Sequence, residues 1–159
     1  MLVFDIEADN LLPDVTQIWC IGTHDALSGE KNIYAGPRVP DWIVALRAAQ
    51  CLVGHNIIGY DLPALWKVLG TWEEVPLVID TLVVSRTLFP ERPGGHSLEA
   101  WGKRLGCPKG DFNDFSQYTP EMGRYCQQDA EVNVAILRKL NEEMERGYET
   151  TLQGYEVYS

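Results

Sequence analysis

The sequence predicts an α/β domain: a mixed sheet flanked by helices. Three observations lead there. Strand-like runs with tight connections fill residues 2–35, helical and strand-like stretches then alternate, and a long helical pattern closes the chain. At 159 residues, 45% of them hydrophobic, the chain has the size of one domain with a sizeable core. No apolar run approaches the ~20 residues of a membrane span.

Leu2-Val3-Phe4-Asp5-Ile6-Glu7-Ala8 is the first predicted strand, and Asp9 to Asp14 a loop. Thr16 to Thr23 is a second strand, turned by Ser28-Gly29-Glu30 into a short third one near Asn32 to Ala35. Such short connections favour antiparallel pairing. Pro40-Asp41-Trp42 opens a helix through Gln50, with Trp42, Ile43, Leu46 and Ala49 as its apolar stripe. Cys51 to His55 reads as a short buried strand, Asp61 to Leu69 as a helix stopped by Gly70, and Leu77 to Asp80 as another buried strand. A helix over Thr81 to Leu88 follows. Beyond the Pro90–Gly95 loop, Ser97 caps a helix that ends at Leu105 before Gly106. Pro108 to Tyr118 is polar and irregular. Thr119-Pro120-Glu121, a cap, a first-turn proline and an early acid, starts the last helix. Its spacing persists to Arg146, and Gly147 is expected to stop it, which gives a domain over 1–146 and a C-terminal tail over 147–159.

The net charge of −10 argues against a protein that coats nucleic acid by neutralising many phosphates. It leaves room for an enzyme that grips a few nucleotides through metal ions. Cys20, Cys51, Cys107 and Cys126 form no C-x-x-C pair, so buried, reduced thiols are expected rather than a zinc site. The chain begins directly in a strand pattern, without the basic region and cleavage site of a signal peptide. A cytoplasmic protein with no membrane partner is expected.

Asp5 and Glu7 stand two apart in the first strand and therefore share a face, flanked by residues that belong in a core. Two like charges so placed are costly unless a cation sits between them, and hard divalent ions take carboxylate oxygens. A lone D-x-E is more often a solvated strand end; other acids later in the chain change that balance. Asp61 opens a helix directly after a strand that can pair beside the first, although plain capping duty also suits it. Tyr125 and Asp129 lie four apart on the last helix and so share a face. Val132, Asn133 and Ile136 continue that largely apolar side, and an acid facing inward needs a partner or a metal.

With these residues in view, the chain resembles the DEDD (DnaQ-like) superfamily of 3′→5′ exonucleases, in the branch whose last motif is Y-x-x-x-D. Asp5 and Glu7 match the first motif, Asp61 within Asn56-x-x-x-Tyr60-Asp61 the second, and Tyr125 with Asp129 the third. Ile79-Asp80-Thr81-Leu82, Ser85-Arg86 and the run from His96 to Gly106 are similar to the proofreading domain of phage family A DNA polymerases. The resemblance covers Leu2 to about Leu140.

The resemblance implies a ribonuclease H-like, mixed five-stranded sheet of order 3-2-1-4-5 flanked by helices. It implies two divalent cations, Mg2+ or Mn2+, with Asp5 bridging both. Glu7 and Asp129 would complete the site of the nucleophilic water, Asp61 would serve the second ion, and Tyr125 would orient the water. Asn56 and Tyr60 are candidates for binding terminal nucleotides. Leu11, a few residues after the D-x-E, matches a leucine that slips between the last bases of the strand, though a leucine pair in a loop is more often core packing. The implied substrate is single-stranded DNA or frayed DNA 3′ ends, in a bacterial cell or phage-infected host, with a separate DNA polymerase or single-strand-binding protein as conceivable partners. An exoribonuclease with the same machinery and an idle nucleic-acid-binding module are the alternatives. The intact acids at Asp5, Glu7, Asp61 and Asp129 weigh against the last.

Overall fold

The computed structural model describes residues 1–70 and 76–157, from 148 onward as backbone only. Five strands form one sheet: β1 (Leu2–Ala8), β2 (Ile18–Asp25), β3 (Lys31–Ala35), β4 (Cys51–Gly54) and β5 (Leu77–Asp80). Their order is β3-β2-β1-β4-β5, with β1 central. The first three strands pair antiparallel, while β4 lies parallel to β1 and β5 parallel to β4. This is the ribonuclease H-like order implied by the resemblance.

Alternation along β1 assigns its two faces. Phe4, Ile6 and Ala8 join the larger core with α1 (Trp42–Ala48) and α2 (Asp61–Leu69), and the Phe4 ring lies 5.3 Å from that of Trp42. Val3 packs the other way, with Val53 and Val134 of the long helix α5 (Pro120–Val157). Asp5 and Glu7 have the parity of Val3 and so stand on the α5 side. On that side α3 (Thr81–Leu88) and α4 (Leu98–Leu105) pack against α5 through Trp101, Val132, Ile136 and Leu140. Ser85 accepts a hydrogen bond from Trp101 Nε1 at 3.1 Å and lies 2.8 Å from His96 Nδ1. These parts of the family-like segments therefore knit α3 to α4.

Several expected boundaries move, for local reasons. β2 starts at Ile18, because the Asp9 carboxylate takes the backbone N–H groups of Thr16 and Gln17 and holds both outside the strand. A 3₁₀ turn over Gly36–Asp41, where Pro37 and Pro40 lack amide donors, delays α1 to Trp42. That helix ends at Ala48, with Ala49 already extended. β5 was expected to be buried; as the edge of the sheet it leaves Leu77 exposed. Gly147 does not stop α5, which runs on to Val157. One glycine costs a helix only ~1 kcal/mol relative to alanine, and no proline follows it. The start of α5 is as expected, with Thr119 Oγ1 accepting from Met122 N–H at 3.1 Å. No described helix is long and apolar enough to cross a membrane.

Candidate active site

The site forms where β1, the start of α2 and the second and third turns of α5 meet. Asp5 lies opposite Gly22 of β2, and Glu7 opposite Cys20. Gly22 sets how closely α5 approaches: a Cβ there would sit 3.0 Å from backbone atoms of Cys126 and Gln127. Cys126 seats the helix turn, accepting from Gly22 N–H at 3.2 Å and donating its S–H to the Asp5 carbonyl at 3.3 Å. Tyr125 and Asp129 flank this anchored residue, so the helix delivers both to the acids of β1.

Asp61 comes from the opposite side. Its Oδ1 accepts the Ile6 backbone N–H at 3.2 Å, so from the first turn of its helix the side chain also reaches across to β1. The loop before it is held by Asp80, a buried carboxylate that accepts N–H bonds from Asn56, Ile58 and Leu82 at 2.9, 3.0 and 2.9 Å. Asp80 is thus satisfied by backbone donors and serves as the clamp of the Asn56–Tyr60 turn. Asn56 takes a left-handed conformation there, with φ of 65°.

The electrostatics are those of an over-charged pocket. Asp5 is pushed well above the usual carboxylate range by burial and then by Asp61, Glu7 and Asp129. Burial and Asp129 raise Glu7 to about 8, and burial raises Asp61 to about 7. Asp129, 1% exposed, is raised by burial, against which Lys109 works. One oxygen of Asp129 accepts from Lys109 Nζ at 3.0 Å, and the other has no hydrogen-bond partner among the described residues. Four carboxylates, one lysine and an unpartnered buried oxygen fit divalent cations, which would be held by Asp5, Glu7, Asp61 and Asp129. The Cys126 thiol borders the same space, 3.9 Å from Asp5 Oδ2.

Lys109 is the participant that sequence reasoning missed. It lies in the polar stretch after α4, where no periodicity or motif singles it out. Only the fold of that stretch onto α5 reveals it.

A groove of about 410 Å³ opens beside Glu7, walled by Asn10, Leu11, Tyr60 and Phe115. The leucine pair splits: Leu12 packs on the core, whereas Leu11 is 74% exposed on the groove. Tyr60 is fixed by donating its hydroxyl to the Asn10 carbonyl at 2.7 Å, and Trp19 Nε1 holds the Phe115 carbonyl at 2.9 Å. Asn56 is not on this wall; it makes the turn below Tyr60, with its side chain over Gly59. Phe112 and Phe115 pack against the Tyr125 ring at 5.6 and 6.5 Å, which fixes the direction of the Tyr125 side chain.

Comparison with known proteins gives two kinds of likeness. The DNA-directed DNA polymerase of Enterobacteria phage T3 is 34% identical over 88% of this chain, and that of Escherichia phage T7 is 32% identical over 88%. The chain spans about a quarter, 26%, of the length of each polymerase. Among solved structures, Brucella melitensis NrnC superposes with a TM-score of 0.68 at 17% identity, over 95% of this chain and 76% of NrnC. No family model matches the chain.

Proposed function

We propose, from the chain's membership of the DnaQ-like 3′→5′ exonuclease superfamily, that it is a metal-dependent exonuclease removing nucleoside 5′-monophosphates from single-stranded or frayed DNA 3′ ends. The observation that carries the reading is the meeting of Asp5, Glu7, Asp61 and Asp129 from three separate elements, with Tyr125 one helical turn from Asp129. DNA as substrate is supported by the phage DNA polymerases that resemble 88% of the chain.

Two Mg2+ or Mn2+ ions would supply, when bound, ionisation of a water and stabilisation of the leaving 3′-oxygen. The chain's own contribution is placement. Asp5 and Glu7 are fixed by the pairing of β1, Asp61 by its bond to Ile6, and Asp129 by the seating of α5 on Gly22. Burial raises the Tyr125 hydroxyl above its ordinary pKa, so it stays protonated at neutral pH. It acts by orienting the attacking water and not by removing its proton. Tyr125→Phe keeps the ring contacts with Phe112 and Phe115 and deletes only the hydroxyl. The expected result is a fall in kcat of about ten- to a thousand-fold with KM little changed. A change in KM alone would make Tyr125 a stacking residue.

Leu11, exposed beside Tyr60 and Phe115, suits a wedge against the last bases of the strand. Leu11→Ala should leave the melting temperature nearly unchanged, weaken single-strand binding about five-fold and slow duplex ends most. A large drop in melting temperature with unaltered strand preference would make it a packing residue instead.

The whole reading is tested with 5′-labelled DNA and RNA oligonucleotides of one sequence, offered single-stranded and as duplexes. Stepwise shortening from the 3′ end, fastest on single-stranded DNA, is expected. Faster loss of the RNA would reassign the substrate to RNA, and internal cuts would refute an exonuclease.

A further inference from the structure

We infer that Lys109 is a resident cation of the acid cluster, one that competes with divalent ions for Asp129 and, once displaced, binds the substrate's phosphate beside Tyr125. This rests on the exonuclease reading for its second half only. The first half stands on geometry. Lys109 Nζ lies 3.0 Å from Asp129 Oδ2 and 5.0 Å from the centre of the Tyr125 ring. Its side chain is 33% exposed, whereas that of Asp129 is only 2% exposed, so the ammonium enters the pocket from its open side.

The backbone holds the lysine there. Gln128 Nε2 donates to the Pro108 carbonyl at 2.9 Å, which ties the segment before Lys109 to the same turn of α5 that carries Asp129. On the other side, a Cβ at Gly110 would lie 2.9 Å from the Tyr125 ring and 3.0 Å from Gln128 Oε1. Gly102 of α4 leaves room for the returning chain, since a Cβ there would meet the Cys107 carbonyl at 2.8 Å and Lys109 N at 3.1 Å. Glycines on both sides thus let the segment press onto α4 and α5, and Lys109 is the side chain it delivers to the acids.

Charge then dictates two states. Without divalent ions, four clustered carboxylates face one ammonium, which takes the oxygen of Asp129 nearest to it. A divalent ion that takes Asp129, even through its unpartnered oxygen, would bring two positive charges beside the ammonium and drive Lys109 off Oδ2 by like-charge repulsion. The ammonium is on a flexible four-carbon stem and its segment is tied at Pro108, so it remains at the mouth of the site beside Tyr125. A phosphodiester entering there is an anion with free oxygens, which a lysine binds as a point charge.

Lys109→Met and Lys109→Gln, compared with the wild type and Lys109→Arg, separate the two roles. Mn2+ binding by calorimetry without nucleic acid is expected to tighten about five- to ten-fold in both neutral variants, because the competing ammonium is gone. Their melting temperatures in EDTA should fall, and saturating Mn2+ should return them to the wild-type value. At saturating Mn2+, kcat/KM on single-stranded DNA should fall about ten- to a hundred-fold, with partial recovery in Lys109→Arg. Unchanged Mn2+ affinity in both variants would overturn the competition, and full kcat/KM would overturn the phosphate contact. A wild-type protein that does not cut DNA refutes the exonuclease reading and the phosphate contact together. The Mn2+ and melting measurements still decide the competition.

Discussion

Asp5→Ala is expected to reduce hydrolysis by about a thousand-fold or more, because it removes the carboxylate at the centre of the cluster. The same substitution should not harm the metal-free fold. Asp5 is held well above the ordinary carboxylate range, Glu7 near 8 and Asp61 near 7, chiefly by burial. In the unfolded chain these groups release their protons near their ordinary values of 3.8 for Asp and 4.5 for Glu. Between those values and about 8 the native state binds more protons than the unfolded state, so stability falls as pH rises through that window. Removing Asp5 takes away one member of the group and relieves the others. In EDTA the wild type should melt lower at pH 8 than at pH 5, and Asp5→Ala should narrow that gap. Normal turnover by Asp5→Ala would show that the chemistry lies elsewhere. Collapse of its melting temperature would show that Asp5 is structural.

Removal of divalent ions is the second large effect. Without divalent ions the crowded acids largely hold protons, and a phosphodiester approaching a chain of net charge −10 finds Lys109 as the cation of the cluster, with nothing to ionise a water. Cleavage should be negligible in EDTA and should return with Mg2+ or Mn2+. Adding Mn2+ in the absence of DNA should also raise the melting temperature more at pH 8 than at pH 5. At the lower pH the carboxyls hold protons, which the ion must displace. Full activity in a chelator would refute the metal-dependent reading, and an equal Mn2+ shift at both pH values would place ion binding outside the cluster.

Most of the fold was legible because local chemistry writes it directly. Asp61 and Leu69 bound α2, Leu77 and Asp80 bound β5, and Thr119 and Ser97 cap the helices that follow them. Where expectation slipped, the causes differed: the Asp9 carboxylate took backbone donors at the start of β2, the edge of the sheet left Leu77 exposed, and a lone glycine at Gly147 was too weak a stop. The leucine pair could not be sorted from sequence, since only the path of the loop after β1 puts Leu12 on the core and Leu11 in the open.

The sequence by itself determined the candidate acids and their pairing. Period two puts Asp5 and Glu7 on one face of a strand, and a spacing of four in a helix of period 3.6 puts Tyr125 and Asp129 on one face. Those relations are fixed by backbone geometry and hold wherever the elements go. Tertiary structure alone decided how α5 crosses the sheet, and with it what meets these residues. The crossing rests on the bare backbone of Gly22, on Cys126 bonded to Asp5 and Gly22, and on a segment after α4 folded back far enough to bring Lys109 to Asp129. It also showed that Asp61 bonds Ile6 across the site, whereas Asp80 spends its oxygens on the backbone of a loop. Such contacts join residues up to 121 positions apart, and no local periodicity encodes a distance of that kind.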